Sequence, residues 1–185
     1  EYLYNSLITT VLYAGLDSME PLKASETYSN KARADSVSVV ILDKKRKKMS
    51  ILALNRDTMT EIRRYTRTGE DMGTYVSHLG YAYSYGDGGE VSCMDLKEAV
   101  ENLLGIPIDE YIVTNQSSIT SINDLVGGVT LTVPNDDLAG MHPELQKGEV
   151  VTLDDSNVRD FLQHRDTAVD FSNEGRIERQ QSYVT

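Results

Sequence analysis

The sequence predicts an α/β domain built on a mixed sheet. Two observations carry this. Short Val- and Ile-rich runs alternate along the chain with segments of helical period, as in open α/β sheets. Two of those runs, residues 36–42 and 50–54, flank one charged turn and read as an antiparallel hairpin, which makes the sheet mixed.

The elements follow in order. Residues 7–14 are mostly apolar and end at Gly15, a first strand. The hairpin follows; its turn holds Asp43 and five cations, Lys44, Lys45, Arg46, Lys47 and Lys48, read as solvated, with anionic lipid headgroups as the alternative contact. Residues 93–104 carry Met94, Ala99, Val100, Leu103 and Leu104 on one helical face, with Ser92 as cap and Gly105 before Pro107 as terminator. Residues 111–114 and 129–133 read as strands, the second entered through Gly127-Gly128, with a short helix at 117–125 between them. Residues 154–162 form a helix that places Val158, Phe161 and Leu162 on one side, and residues 173–183 form the last. No repeat, low-complexity tract or linker interrupts the chain, so residues 1–185 read as a single domain.

Of the 185 residues, 39% are hydrophobic and 25% charged, the composition of a folded globular protein. The net charge of −11 argues against a nucleic-acid partner, since binding a phosphate backbone needs Lys and Arg. An anionic ligand must therefore meet a local cationic patch, against the field of the whole molecule. Cys93 is alone, permits no internal disulfide, and reads as a small buried hydrophobe. No apolar run approaches the roughly 20 residues that span a bilayer, and no signal peptide is visible. An N-terminal membrane anchor removed from this sequence is compatible with both.

Four segments suit chemistry better than scaffolding. Gly15-Leu16-Asp17 puts a carboxylate just past a strand, where ligands gather in open α/β sheets. Arg33-Ala34-Asp35-Ser36 puts a second at a strand edge. If the strands are neighbours, Asp17 and Asp35 converge, and two carboxylates at one site call for a cation between them; hard oxygen ligands that leave room for water and phosphate suit Mg²⁺. Asn55-Arg56-Asp57-Thr58 places Arg56 at the mouth of the sheet, where a structural salt bridge is the alternative. Finally, His164-Arg165-Asp166 precedes Gly175-Arg176-Ile177-Glu178-Arg179-Gln180-Gln181. Arg176 and Gln180 share a helix face, with Arg179 one turn from Arg176. Arg suits phosphate because its planar fork donates paired hydrogen bonds; a charged helix face with intrahelical pairs is the alternative.

Taken in order, these segments resemble the LytR-CpsA-Psr family, together with Leu79-Gly80-Tyr81-Ala82-Tyr83 and Leu125-Val126-Gly127-Gly128-Val129. They run through almost the whole chain. Each motif is weak alone; their joint order and spacing is specific. The resemblance implies an α/β/α sandwich with a central mixed sheet and a long apolar pocket for a polyprenyl tail, expected between the sheet and the helix at 94–104. It implies a phosphotransferase that moves a glycopolymer, such as wall teichoic acid or capsular polysaccharide, from a polyprenyl-pyrophosphate carrier to peptidoglycan. Such enzymes are extracytoplasmic, held at the membrane surface by an N-terminal anchor, and face the wall of a Gram-positive bacterium.

By motif match, Asp17 and Asp35 are the implied Mg²⁺ ligands. Arg56, Arg165, Arg176 and Gln180 bind pyrophosphate; Arg56, Asp57, Arg165 and Arg176 carry catalysis. The base stays open between Asp57 and Asp166, while His78 and His164 read as solvated or packed. The chain departs from the family at Gln163, where many members carry Arg, and stops at Thr185, where relatives are expected to continue. A pyrophosphate hydrolase or a non-catalytic lipid-pyrophosphate or cell-wall binding module are the competing readings. The acidic metal pair favours an enzyme, because binding alone needs none.

Overall fold

The computed structural model describes residues 6–28, 31–166 and 172–184. The chain packs as two compact units, Glu1–Gln116 and Ser117–Thr185.

The first unit opens with β1 (Ile8–Leu16), β2 (Ala34–Asp43) and β3 (Lys48–Leu54). A second hairpin, β4 (Met59–Tyr65) and β5 (Asp71–His78), leads through a single 3-10 turn, Leu79–Tyr81, to α1 (Glu90–Leu104) and β6 (Glu110–Thr114). The sheet order is β3-β2-β1-β6. β2 is antiparallel to β1 and β3, while β6 runs parallel to β1, so the central sheet is mixed as expected.

The alternation of β1 explains its place. Leu12, Ala14 and Leu16 point one way and are at most 3% exposed. They meet Val37 and Val39 of β2, and Leu96, Ala99 and Val100 of α1, in one core. Each leucine or valine among them removed from water stabilises the unit by roughly 1.5–3 kcal/mol, and each alanine by less. The charged turn is a turn: Asp43 accepts Arg46 N–H at 2.8 Å, and Lys47 takes φ 52°.

Two details of α1 differ from expectation. The helix begins at Glu90, and Ser92 is inside it. The N-terminal amides are met by Asp87, whose Oδ1 accepts Gly89 N–H at 2.8 Å and Ser92 N–H at 3.2 Å. Ser92 Oγ instead accepts Gly88 N–H at 2.8 Å. Met94 is exposed, because the face that meets the sheet runs through Leu96, Ala99 and Val100. Gly105 does end the helix, at φ 67°, with its N–H on Glu101 O at 2.8 Å. The β4–β5 hairpin was not legible: of β4 only Thr60 and Ile62 are buried, too few to mark a period-two strand.

The second unit holds α2 (Ser118–Leu125), β7 (Thr130–Thr132), β8 (Val150–Thr152), α3 (Val158–Gln163) and α4 (Ser172–Val184). Its own core gathers Leu131, Val133, Leu138, Leu145, Leu153, Val158 and Phe161. Buried Asn123 pins it: Nδ2 donates to Leu153 O at 2.7 Å, and Oδ1 accepts Val129 N–H at 3.2 Å. Gly127 and Gly128, at φ 80° and 83°, make the turn into β7. The third helix starts at Val158 rather than 154. Asp154 accepts Ser156 N–H at 2.9 Å and Asn157 accepts Asp154 N–H at 3.0 Å, so these side chains hold a turn where the helix was expected. Among the described residues no helix is long and apolar enough to cross a membrane.

Candidate functional site

Asp17 lies one residue past β1, and the chain crosses itself there. Asp17 N–H donates to Arg33 O at 3.0 Å, while Asp17 Oδ1 accepts Arg33 N–H at 2.7 Å and Oδ2 accepts Arg33 Nε–H at 3.3 Å. The Arg33 guanidinium lies 5.7 Å from the centre of the Tyr81 ring. Tyr81 first, and Asp17 second, push Arg33 above its ordinary pKa and hold it charged.

Asp35 is the second residue of β2, and Arg56 stands two residues beyond β3. Val37 pairs with Leu54, so the start of one strand lies beside the end of the other. Arg56 Nη1 donates to Asp35 Oδ1 across that junction. Gly80 closes the floor: its N–H donates to Arg56 O at 2.8 Å, and a β-carbon there would lie 3.0 Å from Ala34 O. Asp57 Oδ1 lies 3.9 Å from Arg56 Nε and 3.7 Å from His78 Nδ1. His78 meets Tyr81 edge to face with ring centres 6.0 Å apart.

Arg33, Asp35, Arg56, Asp57, His78 and Tyr81 thus line one small cleft of about 50 Å³. Asp17 lines a separate, larger cavity of about 400 Å³, bounded also by Lys23, Lys31, Tyr83 and Asp87. The Asp17–Arg33 ion pair therefore has one member in each. Its side chains are 22% and 52% exposed, and those of Asp35 and Arg56 45% and 48%. Such half-exposed pairs give up a partner cheaply, at about 0–1 kcal/mol. Either carboxylate can take a cation, and either guanidinium an anion.

Of the expected residues, Asp17, Asp35, Arg56 and Asp57 lie in the first unit at these strand ends. Sequence reasoning set His78 aside and gave Tyr81 and Arg33 no chemical role, yet all three line the cleft. The signal was available for Arg33 and Tyr81, since both stand in the motif segments. His78 is the residue before one of those segments.

Arg165, Arg176 and Gln180 lie in the second unit. Arg165 is exposed just past α3, with Asp166 beside it, and Arg176 is half-buried on α4. Gln180 Nε2 donates to Leu162 O at 2.9 Å. Gln163 accepts Arg159 Nε–H at 3.3 Å. The arginine most deeply engaged is Arg179, only 1% exposed. It donates to Phe161 O at 2.8 Å, His164 O at 2.5 Å and Asp137 Oδ2 at 2.7 Å. Arg179 and Gln180 together hold the end of α3, and so fix where Arg165 leaves it. Spacing alone could have found Arg179: it lies four residues from Gly175 and four from Tyr183, on the face α4 turns inward. Among the described residues, no group of three or more His, Cys, Asp or Glu side chains is arranged to hold a metal.

The LytR_cpsA_psr family model matches residues 5–185. A polyisoprenyl-teichoic acid–peptidoglycan teichoic acid transferase, TagU of Halalkalibacterium halodurans, is 30% identical over 178 residues, 95% of this chain and 50% of the relative. The enzyme of the same description from Bacillus subtilis, TagV, is 32% identical over 127 residues, 69% of this chain and 28% of the relative. The chain thus spans half or less of these curated relatives. Among solved structures, B. subtilis TagV superposes with TM-score 0.61 at 26% identity, covering 98% of this chain and 63% of that one. The LytR-CPS2A-psr family protein YwtF (TagT), solved with octaprenyl pyrophosphate lipid bound, gives TM-score 0.61 at 22% identity, covering 100% and 66%. With the family model matched from residue 5 to the last and the mixed α/β fold shared, this chain belongs to the LytR_cpsA_psr family.

Proposed function

We propose that this chain is a catalytic domain that transfers a glycopolymer from a polyprenyl-pyrophosphate carrier to peptidoglycan, outside the cell and at the membrane surface. The observation that carries the reading is the pair of carboxylate–guanidinium contacts, Asp17–Arg33 and Asp35–Arg56, at adjoining strand ends. Arg56 and Arg33 are cations placed for a phosphate, in a protein whose net charge of −11 would otherwise repel one. The curated relatives are named as teichoic acid transferases, which favours transfer over hydrolysis or mere binding.

In this reading a hydroxyl of the acceptor glycan attacks the phosphorus that carries the polymer. A new P–O bond forms, the bond to the lipid phosphate breaks, and polyprenyl phosphate leaves with the electron pair. Phosphoryl transfer needs positioning and charge neutralisation more than covalent help. Arg56 binds the pyrophosphate and neutralises charge on its oxygens. Asp57 takes the proton of the attacking hydroxyl, and His78 Nδ1 stands 3.7 Å from its carboxylate. Asp17 and Asp35 would hold Mg²⁺ as hard oxygen donors, the kind of ligand that leaves coordination positions for water and phosphate. When bound, the ion would add positive charge beside the transferring phosphate. Arg165, Arg176 and Gln180 belong to the same proposal as pyrophosphate ligands, and an apolar polyprenyl pocket as the site of the lipid tail.

The test is incubation of the chain with a short lipid-pyrophosphate glycan and peptidoglycan oligomers, with products weighed by mass spectrometry. A glycan–phosphate–peptidoglycan adduct is expected. Free glycan phosphate in its place would make the chain a hydrolase, and no product with lipid bound would make it a binding module.

A further inference from the structure

Five consecutive cations, Lys44, Lys45, Arg46, Lys47 and Lys48, stand at the tip of the β2–β3 hairpin in a protein of net charge −11, and all five are exposed. Arg46 is taken by Asp43, which accepts its N–H at 2.8 Å and its Nη1–H at 3.1 Å. The ammonium groups of the four lysines meet no carboxylate of the described residues. At about 0.1 M salt, charges more than roughly 10 Å away are screened. The tip therefore answers to its own charge rather than to that of the whole molecule.

The turn is also held in shape. Lys44 N–H donates to Leu7 O at 2.9 Å, which ties the turn to the start of β1, and Lys47 takes φ 52°. A hairpin tip so held is convex: it offers a polymer strand no groove, but it can meet a plane. Apolar side chains adjoin the charges. Leu7 is 45% exposed, Met49 65% and Ile51 62%. Met49 and Ile51, two residues apart, share one face of β3. Cations beside bare aliphatic side chains match the layers of a bilayer surface, anionic headgroups over hydrocarbon. A soluble polyanion would engage the lysines and leave Leu7 and Met49 in water.

We propose that this tip docks on an anionic lipid surface, its lysines among the headgroups and Leu7 and Met49 at the acyl boundary. Away from such a surface the lysines stay solvated. The inference deepens the membrane-surface reading above and rests on it only for where such lipid is met. It also sets an orientation. Asp17, Asp35 and Arg56 lie at the opposite ends of the same strands, eight or so residues away. A docked tip holds them up to roughly 25 Å from the headgroups, on the side away from the bilayer.

The experiment sediments the chain with vesicles of phosphatidylcholine alone, and of phosphatidylcholine and phosphatidylglycerol in equal parts. Binding is expected to the second only, and to weaken as salt rises. Lys44→Gln combined with Lys45→Gln should weaken it about 25-fold, about fivefold for each cation removed. Lys147→Gln, an exposed lysine of the second unit, should change nothing. The chain has no tryptophan, so Met49→Trp carries a single reporter, whose emission should shift to the blue on the anionic vesicles. The proposal falls if both vesicles bind alike, or if the glutamine pair binds like the parent while circular dichroism shows it folded. An unshifted emission, with a soluble glycerol-phosphate oligomer competing the vesicles away, would make the tip a polyanion site instead. Transfer is assayed in parallel with the lipid pyrophosphate in detergent, where the glutamine pair should match the parent. Transfer without vesicle binding removes the docking alone. Vesicle binding without transfer removes the transferase reading and leaves the docking standing.

Discussion

Gly175 and Asp137 approach so closely that a β-carbon on residue 175 would lie 2.0 Å from Asp137 Oδ2. That oxygen is not free to swing away, since it accepts the Nη1–H of buried Arg179 at 2.7 Å. Asn135 Nδ2 also donates to Gly175 O at 3.0 Å. Gly175→Ala must therefore push α4 off this loop or break the ion pair. A loss of about 1–3 kcal/mol in denaturant unfolding is expected despite alanine's better helix propensity. A gain in stability would show that the contact is slack.

Arg179→Met should cost more, about 3 kcal/mol or above, because Asp137 loses its cation and two carbonyls of the α3 end lose their donor. Its effect on turnover should follow its effect on folding. Rescue of activity at low temperature, where the variant is folded, is the discriminating result.

Arg56→Ala should separate the two properties. Its pair with Asp35 is about half exposed, so unfolding should change by no more than about 1 kcal/mol. Affinity for a lipid pyrophosphate, read by calorimetry, should fall by roughly 1.5–3 kcal/mol. Unchanged affinity would remove Arg56 from the phosphate site.

Asp17→Asn and Asp35→Asn each keep one acceptor oxygen, enough for one of the two bonds from Arg33 to residue 17 and for the bond from Arg56 to residue 35, but weaken metal binding. Turnover should fall sharply at low Mg²⁺ and recover in part at high Mg²⁺. Activity indifferent to chelator and to both substitutions would take the metal out of the proposal.

Asp95 offers a test by pH. Burial between α1 and the β4–β5 hairpin raises its pKa to about 6, against lesser pulls from Tyr65 and Arg63. Tyr65 O–H donates to Oδ1 at 3.0 Å, and Oδ2 has no partner. The folded pKa lies above the unfolded value, so the contribution is complete below about pH 4 and lost as pH rises through 6. Relative to the parent, Asp95→Asn should therefore gain stability between pH 5 and 7.5, on the order of 2 kcal/mol. Parallel stability curves for the two proteins would mean the buried carboxyl is hydrated.

The sheet was legible because its strands are either apolar throughout or alternate cleanly, as in Leu12, Ala14 and Leu16, and because the cations at 44–48 mark a turn. The β4–β5 hairpin was hidden by its exposure: Met59, Met72 and Val76 face solvent, so no hydrophobic period survives. Capping was misread where a side chain earlier in the chain, Asp87, did the work assigned to Ser92. At the site, local motifs found Asp17, Asp35, Arg56 and Asp57. The contacts that assemble them do not reside in any motif. They depend on the register of β2 against β3 and on Gly80, a glycine whose reason is a carbonyl 46 positions away at Ala34. Arg176 was given a ligand's role and Arg179 none, although Arg179 is the one that packing buries.

One feature of the hairpin concerns how the chain behaves in a crowd. Among the described residues β3 is bonded on one side only, to β2, and it shows Met49, Ile51 and Leu52 to solvent. A bare apolar strand of that kind is a template for pairing with a copy of itself. The cations of the adjoining turn, Lys44, Lys45, Arg46 and Lys47, with Lys48 at the head of the strand, put up to five like charges at its entry, so that two copies pairing edge to edge in parallel bring those charges together. In an acidic protein these lysines need bind nothing to be useful: they act as gatekeepers that keep an open sheet from growing by one strand.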